Sequence, residues 1–160
     1  MKNKIKPYIL PMAIAIAIPV AVGLIAALIT KDSMNVYGEL NLPPLSPPSL
    51  LFPIVWSILY VLMGVSSAIV YLKGGDSERL RRALTLYAVS LVLNFSWSIV
   101  FFTAQLYAAA LLVLAMLLYF IVRTIFAYRE IFAPAAYLQI PYALWVAFAG
   151  YLNVGIVLLN

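Results

Sequence analysis

The chain has 160 residues, of which 66% are hydrophobic and only 9% are charged, and its mean hydropathy is +1.08. A soluble domain of this length needs a larger charged surface, so this composition predicts an integral membrane protein. The sequence contains neither Cys nor His, which excludes disulfides, the usual zinc sites, thiol nucleophiles and Ser-His catalysis, so no metal site is expected. Its net charge of +5 is scattered among apolar runs, so no nucleic-acid partner is expected.

Five apolar runs are long enough to cross a bilayer, which takes about 20 residues per helix. They lie near residues 7-30, 47-72, 79-102, 106-128 and 134-158. The sequence therefore predicts an all-α membrane protein, a bundle of five transmembrane helices with a long outer loop between helices 1 and 2. Residues 1-160 are expected to form a single membrane domain.

Span one follows Lys2, Lys4 and Lys6, as the apolar part of a signal peptide would. Its apolar run is too long for a signal peptide and lacks a small-residue cleavage site, so we interpret it as a retained helix. The loop after it, residues 31-46, is rich in Pro, Asn and Gly, which favour turns. We expect this loop to fold over the outer mouth of the bundle.

The basic residues fall on one side of the five predicted spans. That side carries Lys2, Lys4, Lys6, Lys73, Arg79, Arg81, Arg82, Arg123 and Arg129, whereas the first loop carries Lys31, Asp32 and Glu39. By the positive-inside rule, the N-terminus is predicted to lie in the cytoplasm and the C-terminus outside. Small residues at four-residue spacing in span one, Ala13, Ala17 and Ala21, favour close helix packing and are compatible with a homodimer.

None of the five acidic residues lies inside a predicted span. Proton-coupled transporters normally place an ionisable group in the membrane, so the sequence disfavours that class. Arg123 lies near the cytoplasmic end of span four, where its side chain can reach the headgroups.

Aromatic and uncharged polar residues recur in the outer half of three spans. They are Trp56 and Tyr60 in span two, Asn94 and Trp97 in span three, and Tyr142, Trp145 and Asn153 in span five. Spacings of three or four residues put members of each group on one helix face. If these faces point inward, they form an apolar pocket with a few hydrogen-bonding groups. The alternative is structural: interfacial aromatic anchors and an Asn that fastens helices together.

Three segments resemble the translocator protein family, also called tryptophan-rich sensory proteins and peripheral benzodiazepine receptors. They are "LPPLSPPSLLFPIVWSILYVLMG" at 42-64, "LNFSWSIVFF" at 93-102 and "IPYALWVAFAGYLN" at 140-153. Their order, their positions on spans two, three and five, and the five-span length all agree with that family. The resemblance covers essentially the whole chain.

The resemblance implies a five-helix bundle, often dimeric, that binds porphyrins, haem or benzodiazepine-type ligands below its first loop. It implies a photochemical, catalytic role for Trp56 and Trp145 in the light-dependent degradation of protoporphyrin. The other ligand-binding residues that it implies are Tyr37, Pro44, Pro47, Tyr60, Asn94, Trp97, Ala149 and Asn153. Tyr142 is a ligand-binding candidate from its position on span five. We expect the protein to lie in the plasma membrane of a prokaryote, with membrane lipid as a partner.

The chain departs from the family pattern at the first loop, where Val36 and Leu45 stand at positions that usually hold Trp. The loop is therefore poorer in aromatic residues than is usual in the family. No basic residue follows Tyr151, so the sterol-recognition pattern of animal members is incomplete in span five. A degenerate version occurs in span four as Leu117, Tyr119 and Arg123.

Two functions from different classes follow. The first is a membrane protein that binds a porphyrin such as protoporphyrin IX or haem, with light-dependent degradation or tetrapyrrole-linked stress sensing as its output. No cofactor is required, and the absence of His and Cys favours the free-base porphyrin over axially ligated haem. The alternative is a transporter or carrier of tetrapyrroles or lipids, for which the sequence shows no inverted repeat.

Overall fold

The computed structural model describes residues 6–160, with Lys6 described by its backbone alone. Lys2 and Lys4, which contribute to the predicted orientation, lie outside the described residues. The helices are α1 (Lys6–Thr30), α2 (Val36–Glu39), α3 (Leu51–Gly74), α4 (Glu78–Ser98), α5 (Tyr107–Ile131), α6 (Ala133–Tyr137) and α7 (Ile140–Leu159). A 3₁₀ turn (Lys31–Ser33) follows α1, and a π-helical turn (Ile99–Thr103) continues α4.

The predicted all-α membrane fold with five spans is confirmed. Five helical stretches are long and apolar enough to cross a membrane: Pro7–Ser33, Leu51–Gly74, Glu78–Thr103, Tyr107–Ile131 and Ala133–Leu159. The last of these combines α6 and α7, which are separated by a short turn at Leu138 and Gln139. Within residues 6–160 the chain forms no β-strand.

The second span begins at Leu51, four residues later than the sequence predicts. Pro47 and Pro48 have no backbone N–H, and the first backbone bond at this helix start runs from Leu51 N to Pro48 O at 2.9 Å. Residues 31–50, named here the connecting segment, hold the 3₁₀ turn, the single turn of α2 and irregular backbone.

The turn between α3 and α4 is defined by local chemistry. Gly75 ends α3 with φ of 59°, a left-handed conformation that glycine adopts without steric cost. Ser77 then caps α4 by accepting a hydrogen bond from Leu80 N at 3.1 Å. Lys73 and Arg79 therefore lie at the end of the bundle opposite the connecting segment.

Helix α1 is the peripheral helix of the bundle and packs mainly against α3. The two backbones meet at Gly64, where an added Cβ would overlap the backbone of Ile16. Glycine is required there because only its missing side chain permits this approach. Ala13, Ala17 and Ala21 lie on the exposed face of α1, so the homodimer to which they relate stays a prediction.

Candidate functional site

Asn94 joins three helices in the interior of the bundle. Its side chain is 1% exposed, accepts a hydrogen bond from Tyr60 Oη of α3 at 3.0 Å and donates one to Tyr142 Oη of α7 at 3.1 Å. An amide suits this position because it accepts with its oxygen and donates with its nitrogen. The structure therefore brings together three of the residues that the sequence singles out.

Asn153 of α7 makes a second interhelical link. Its Oδ1 accepts a hydrogen bond from Trp97 Nε1 at 3.3 Å, and its Nδ2 donates to the carbonyl of Tyr107 at 2.9 Å. The link ties α7 to α4 and to the start of α5. Both asparagines thus have structural partners, as the fastener interpretation of the sequence requires.

Trp56 of α3 is the centre of an aromatic cluster. Its ring stacks on Tyr60 with centroids 5.6 Å apart, meets Tyr142 edge-on at 6.1 Å and lies 6.4 Å from Trp97. These separations are typical of favourable aromatic pairs. The predicted inward orientation of the aromatic faces on spans two, three and five is what the structure has.

A cavity of about 340 Å³ lies beside this cluster. Three of the predicted site residues line it: Trp56, Tyr60 and Trp97. The remaining lining residues come from α1, the connecting segment, α3, α4 and the π turn: Val20, Gly23, Leu24, Ala26, Ala27, Thr30, Met34, Phe52, Pro53, Ser57, Val61, Ser98 and Phe102. This lining is apolar and aromatic apart from a few hydroxyl groups, and it contains no charged side chain.

A separate void of about 10 Å³ lies nearer to α7 and the connecting segment. Its lining includes Tyr37, Ala149 and Asn153. A void of this size holds at most about one water molecule. Phe52, Trp97 and Phe102 line both spaces, so these three rings separate the larger cavity from the void.

The expectation that span five helps to form a ligand pocket stays a prediction, and α7 does not reach the 340 Å³ cavity. No residue of α7 lines the 340 Å³ cavity among the residues the structure describes. The π turn is the physical reason: it buries two consecutive aromatic residues, Phe101 and Phe102, beside Trp97. These rings occupy the space between the cavity and α7.

Two of the predicted residues on α7 are placed behind the cavity wall. Tyr142 is buried and contacts the cluster through Trp56 and Asn94. Trp145 packs edge-on against Phe52 with centroids 5.8 Å apart, and its Nε1 is buried without a hydrogen-bond partner among the described residues.

The connecting segment covers the end of the bundle. Tyr37 is buried under it, donates a hydrogen bond to Pro47 O at 3.3 Å and packs on Phe52 with centroids 5.1 Å apart. Burial raises the pKa of Tyr37 above its usual value, although a hydrogen bond with Ser46 lowers it in part. Tyr37 is therefore a protonated donor at neutral pH.

Pro44 O accepts from Tyr151 Oη at 2.7 Å, which places Pro44 and Pro47 in the cover rather than in the cavity wall.

Sequence reasoning missed several residues of the cavity wall. Gly23 is the clearest of them, because an added Cβ would overlap the ring of Tyr60. A lone glycine in the apolar run of span one was the available signal. Phe52, one helical turn before Trp56, carried a similar signal through its four-residue spacing.

The three residues of the degenerate sterol pattern do not form one surface. Leu117 is fully buried, whereas Tyr119 is 54% exposed and accepts a hydrogen bond from Arg123 Nη1 at 2.7 Å. A sterol at the outside of α5 would thus meet Tyr119 and Arg123 without Leu117.

Comparison with known proteins gives a consistent result. The model of the TspO/MBR family matches residues 15–159. The chain is similar to the tryptophan-rich protein TspO of Chlorobaculum tepidum, with 39% identity over 153 residues that cover 95% of this chain and 97% of the relative. It is 35% identical to the translocator protein of Bos taurus over 133 residues (82% and 79% covered) and 34% identical to the tryptophan-rich sensory protein of Cereibacter sphaeroides over 124 residues (78% and 76% covered).

Proposed function

This chain belongs to the TspO/MBR family, and we propose that it binds a flat, apolar tetrapyrrole such as protoporphyrin IX inside its membrane-spanning bundle. The observation that carries the proposal is the cavity of about 340 Å³ with Trp56, Tyr60 and Trp97 in its wall. Small-molecule sites are typically concave, mostly apolar and lined by aromatic residues. Indole and phenol faces stack well on a planar conjugated ring.

The wall chemistry favours a ligand without a strongly bound metal. The whole sequence lacks His and Cys, and the cavity lining offers hydroxyl groups such as those of Thr30, Ser57 and Ser98. Of the residues that usually hold haem iron, His and Cys are absent, and the cavity wall offers Met34 and Tyr60, whose hydroxyl group is already bonded to Asn94. A free-base porphyrin therefore suits the cavity better than haem, and binding is expected to require no cofactor.

The protein is an integral membrane protein with bacterial relatives. We infer that it resides in a prokaryotic plasma membrane with the N-terminus in the cytoplasm. Supporting this, Lys73, Arg79 and Arg129 lie at the end of the bundle opposite the connecting segment, which carries Asp32 and Glu39. Membrane lipid and a second copy of the chain are the other partners in this proposal.

The test is a titration of purified protein with protoporphyrin IX in darkness, followed by the porphyrin absorbance band and by Trp fluorescence. Saturable changes are expected for the parent protein. Trp97→Ala should weaken binding at least severalfold because it removes a wall of the cavity, whereas Trp145→Phe should bind as the parent does. Absence of saturable binding by the folded parent contradicts the proposed function.

A further inference from the structure

The wall of the 340 Å³ cavity has a buried side and an exposed side. Tyr60, Trp97 and Phe102 are buried. The exposed lining residues all belong to α1 or α3: Leu24, Ala27, Pro53, Ser57 and Val61. The cavity therefore opens at the surface of the bundle through the gap between α1 and α3.

This gap lies within the membrane-spanning part of the molecule. Leu24 and Ala27 belong to the span Pro7–Ser33, and Ser57 and Val61 belong to the span Leu51–Gly74. Leu24 is 61% exposed and Val61 is 44% exposed. Apolar residues exposed at this depth face hydrocarbon, so the gap faces the acyl chains of the bilayer.

The gap is closed on the side away from the connecting segment. At Gly64 the backbones of α1 and α3 are in close contact, since a Cβ there would overlap Ile16. Nearer to the connecting segment, at Gly23, the neighbour of α1 is the ring of Tyr60 instead of a backbone. The two helices thus separate from Gly64 towards the connecting segment, and the cavity lies where they have separated.

The end of the bundle is closed by the connecting segment, which is fastened to α7. Asn41 N donates to Asn160 Oδ1 at 2.9 Å, and Asn160 Nδ2 donates back to Asn41 O at 3.0 Å. Tyr151 adds its bond to Pro44 O, and Pro43 packs so closely on Gly155 that a Cβ would overlap it. A ligand arriving through this end would have to break these contacts.

We propose that ligands enter and leave the cavity sideways, from the acyl-chain region of the bilayer, through a portal formed by Leu24, Ala27, Ser57 and Val61. The nature of the ligand, an apolar ring system that dissolves in lipid, rests on the proposed function. The portal itself is a property of the free protein. Its existence can therefore be tested without any ligand.

The first experiment uses Trp56 as a reporter inside the cavity. The chain has three Trp residues, so W97F with W145F leaves Trp56 as the single fluorophore. The protein is placed in vesicles of phosphatidylcholine brominated at the middle of its acyl chains. The brominated lipid should quench the fluorescence of Trp56 more strongly than acrylamide added to the water does. Ala27→Leu, which narrows the portal, should reduce the lipid quenching, whereas Ala147→Leu, an exposed change on α7 outside the cavity, should not.

Two results overturn the portal. One is stronger quenching of Trp56 by acrylamide than by brominated lipid. The other is equal lipid quenching in the Ala27→Leu and Ala147→Leu forms. Neither result depends on porphyrin binding, so a failure of the portal is distinguishable from a failure of the proposed function.

The second experiment keeps all three Trp residues and measures rates with protoporphyrin IX dissolved in the vesicle membrane. Ala27→Leu should slow association and dissociation severalfold by similar factors, and Ala147→Leu should match the parent. Asn160→Ala, which removes the side chain that fastens the connecting segment, should leave both rates unchanged. Faster association in Asn160→Ala with unchanged rates in Ala27→Leu overturns the proposal and assigns entry to the connecting segment.

Discussion

At the scale of single residues, Asn94 and Trp56 have different roles in the same cluster. Asn94 has no exposed surface of consequence and satisfies the hydroxyl groups of Tyr60 and Tyr142. Trp56 is half-buried and presents its ring to the cavity. Polar fastening and lining of the cavity therefore belong to neighbouring but distinct side chains.

Asn94→Ala is expected to lower the free energy of unfolding by roughly 1 to 3 kcal/mol, because it leaves two buried hydroxyl groups without their partner. Asn35→Ala is the matched control, since Asn35 is exposed and makes no side-chain capping bond. Denaturation in detergent micelles measures both changes. Equal stability of the two variants would show that the Asn94 bonds contribute nothing to the fold.

The two tryptophans implied in photochemistry are not equivalent in the structure. Trp56 lines the cavity, whereas Trp145 packs behind it on Phe52. Under fixed illumination at saturating protein, Trp56→Phe should therefore slow porphyrin decay more than Trp145→Phe does, because phenyl is harder to oxidise than indole. Equal decay in both variants and the parent, or none above a protein-free control, contradicts a photochemical role for Trp56.

At the scale of helices, the approach of α1 to α3 at Gly64 sets the shape of the cavity. The backbones of α1 and α3 are in contact at Gly64, whereas at Gly23 the ring of Tyr60 is the neighbour of α1, so the helices are farther apart there. The π turn acts on the opposite wall by burying Phe101 and Phe102 beside Trp97. Short π segments are frequent at functional sites in helical proteins.

Gly64→Ala is expected to destabilise the protein, because the new Cβ overlaps the backbone of Ile16, which has no flexible end to move aside. Gly150→Ala is the matched control, since its Cβ would meet nothing closer than Leu114 Cδ2 at 3.9 Å. Ala raises helix propensity by about 1 kcal/mol at both sites, so any difference reports the contact with α1. Thermal unfolding with equal midpoints would contradict the close approach.

At the scale of the whole molecule, the distribution of charge predicts orientation. The connecting segment and the turn between α3 and α4 lie at opposite ends of the bundle. Because the chain has no native Cys, single cysteines can be introduced without background labelling.

Ser33→Cys is expected to react with a membrane-impermeant thiol reagent added to intact cells, and Gly75→Cys is not. Ser33 lies at the end of the first span, and Gly75 directly follows the second span. Labelling in lysed cells provides the control for the intrinsic reactivity of each cysteine. The reverse pattern would place the N-terminus outside.

The sequence by itself determined the five spans and which candidate residues share a helix face. Hydrophobic length and helical spacing are local properties, so the positions of Asn94, Trp97 and Tyr142 follow from runs of residues within single helices. The start of the second span was predicted four residues too early, because Pro47 and Pro48 have no backbone N–H.

Only the tertiary structure decided which helices enclose the cavity. Its boundaries depend on how far α1 and α3 separate between Gly64 and the connecting segment, and on the extra residue that the π turn accommodates. Neither feature follows from the residue pattern of a single helix. The fastening of Asn41 to Asn160 likewise joins positions 119 residues apart. Such contacts arise from the packing of whole helices, so the pattern within one helix predicts neither these contacts nor the shape of the cavity.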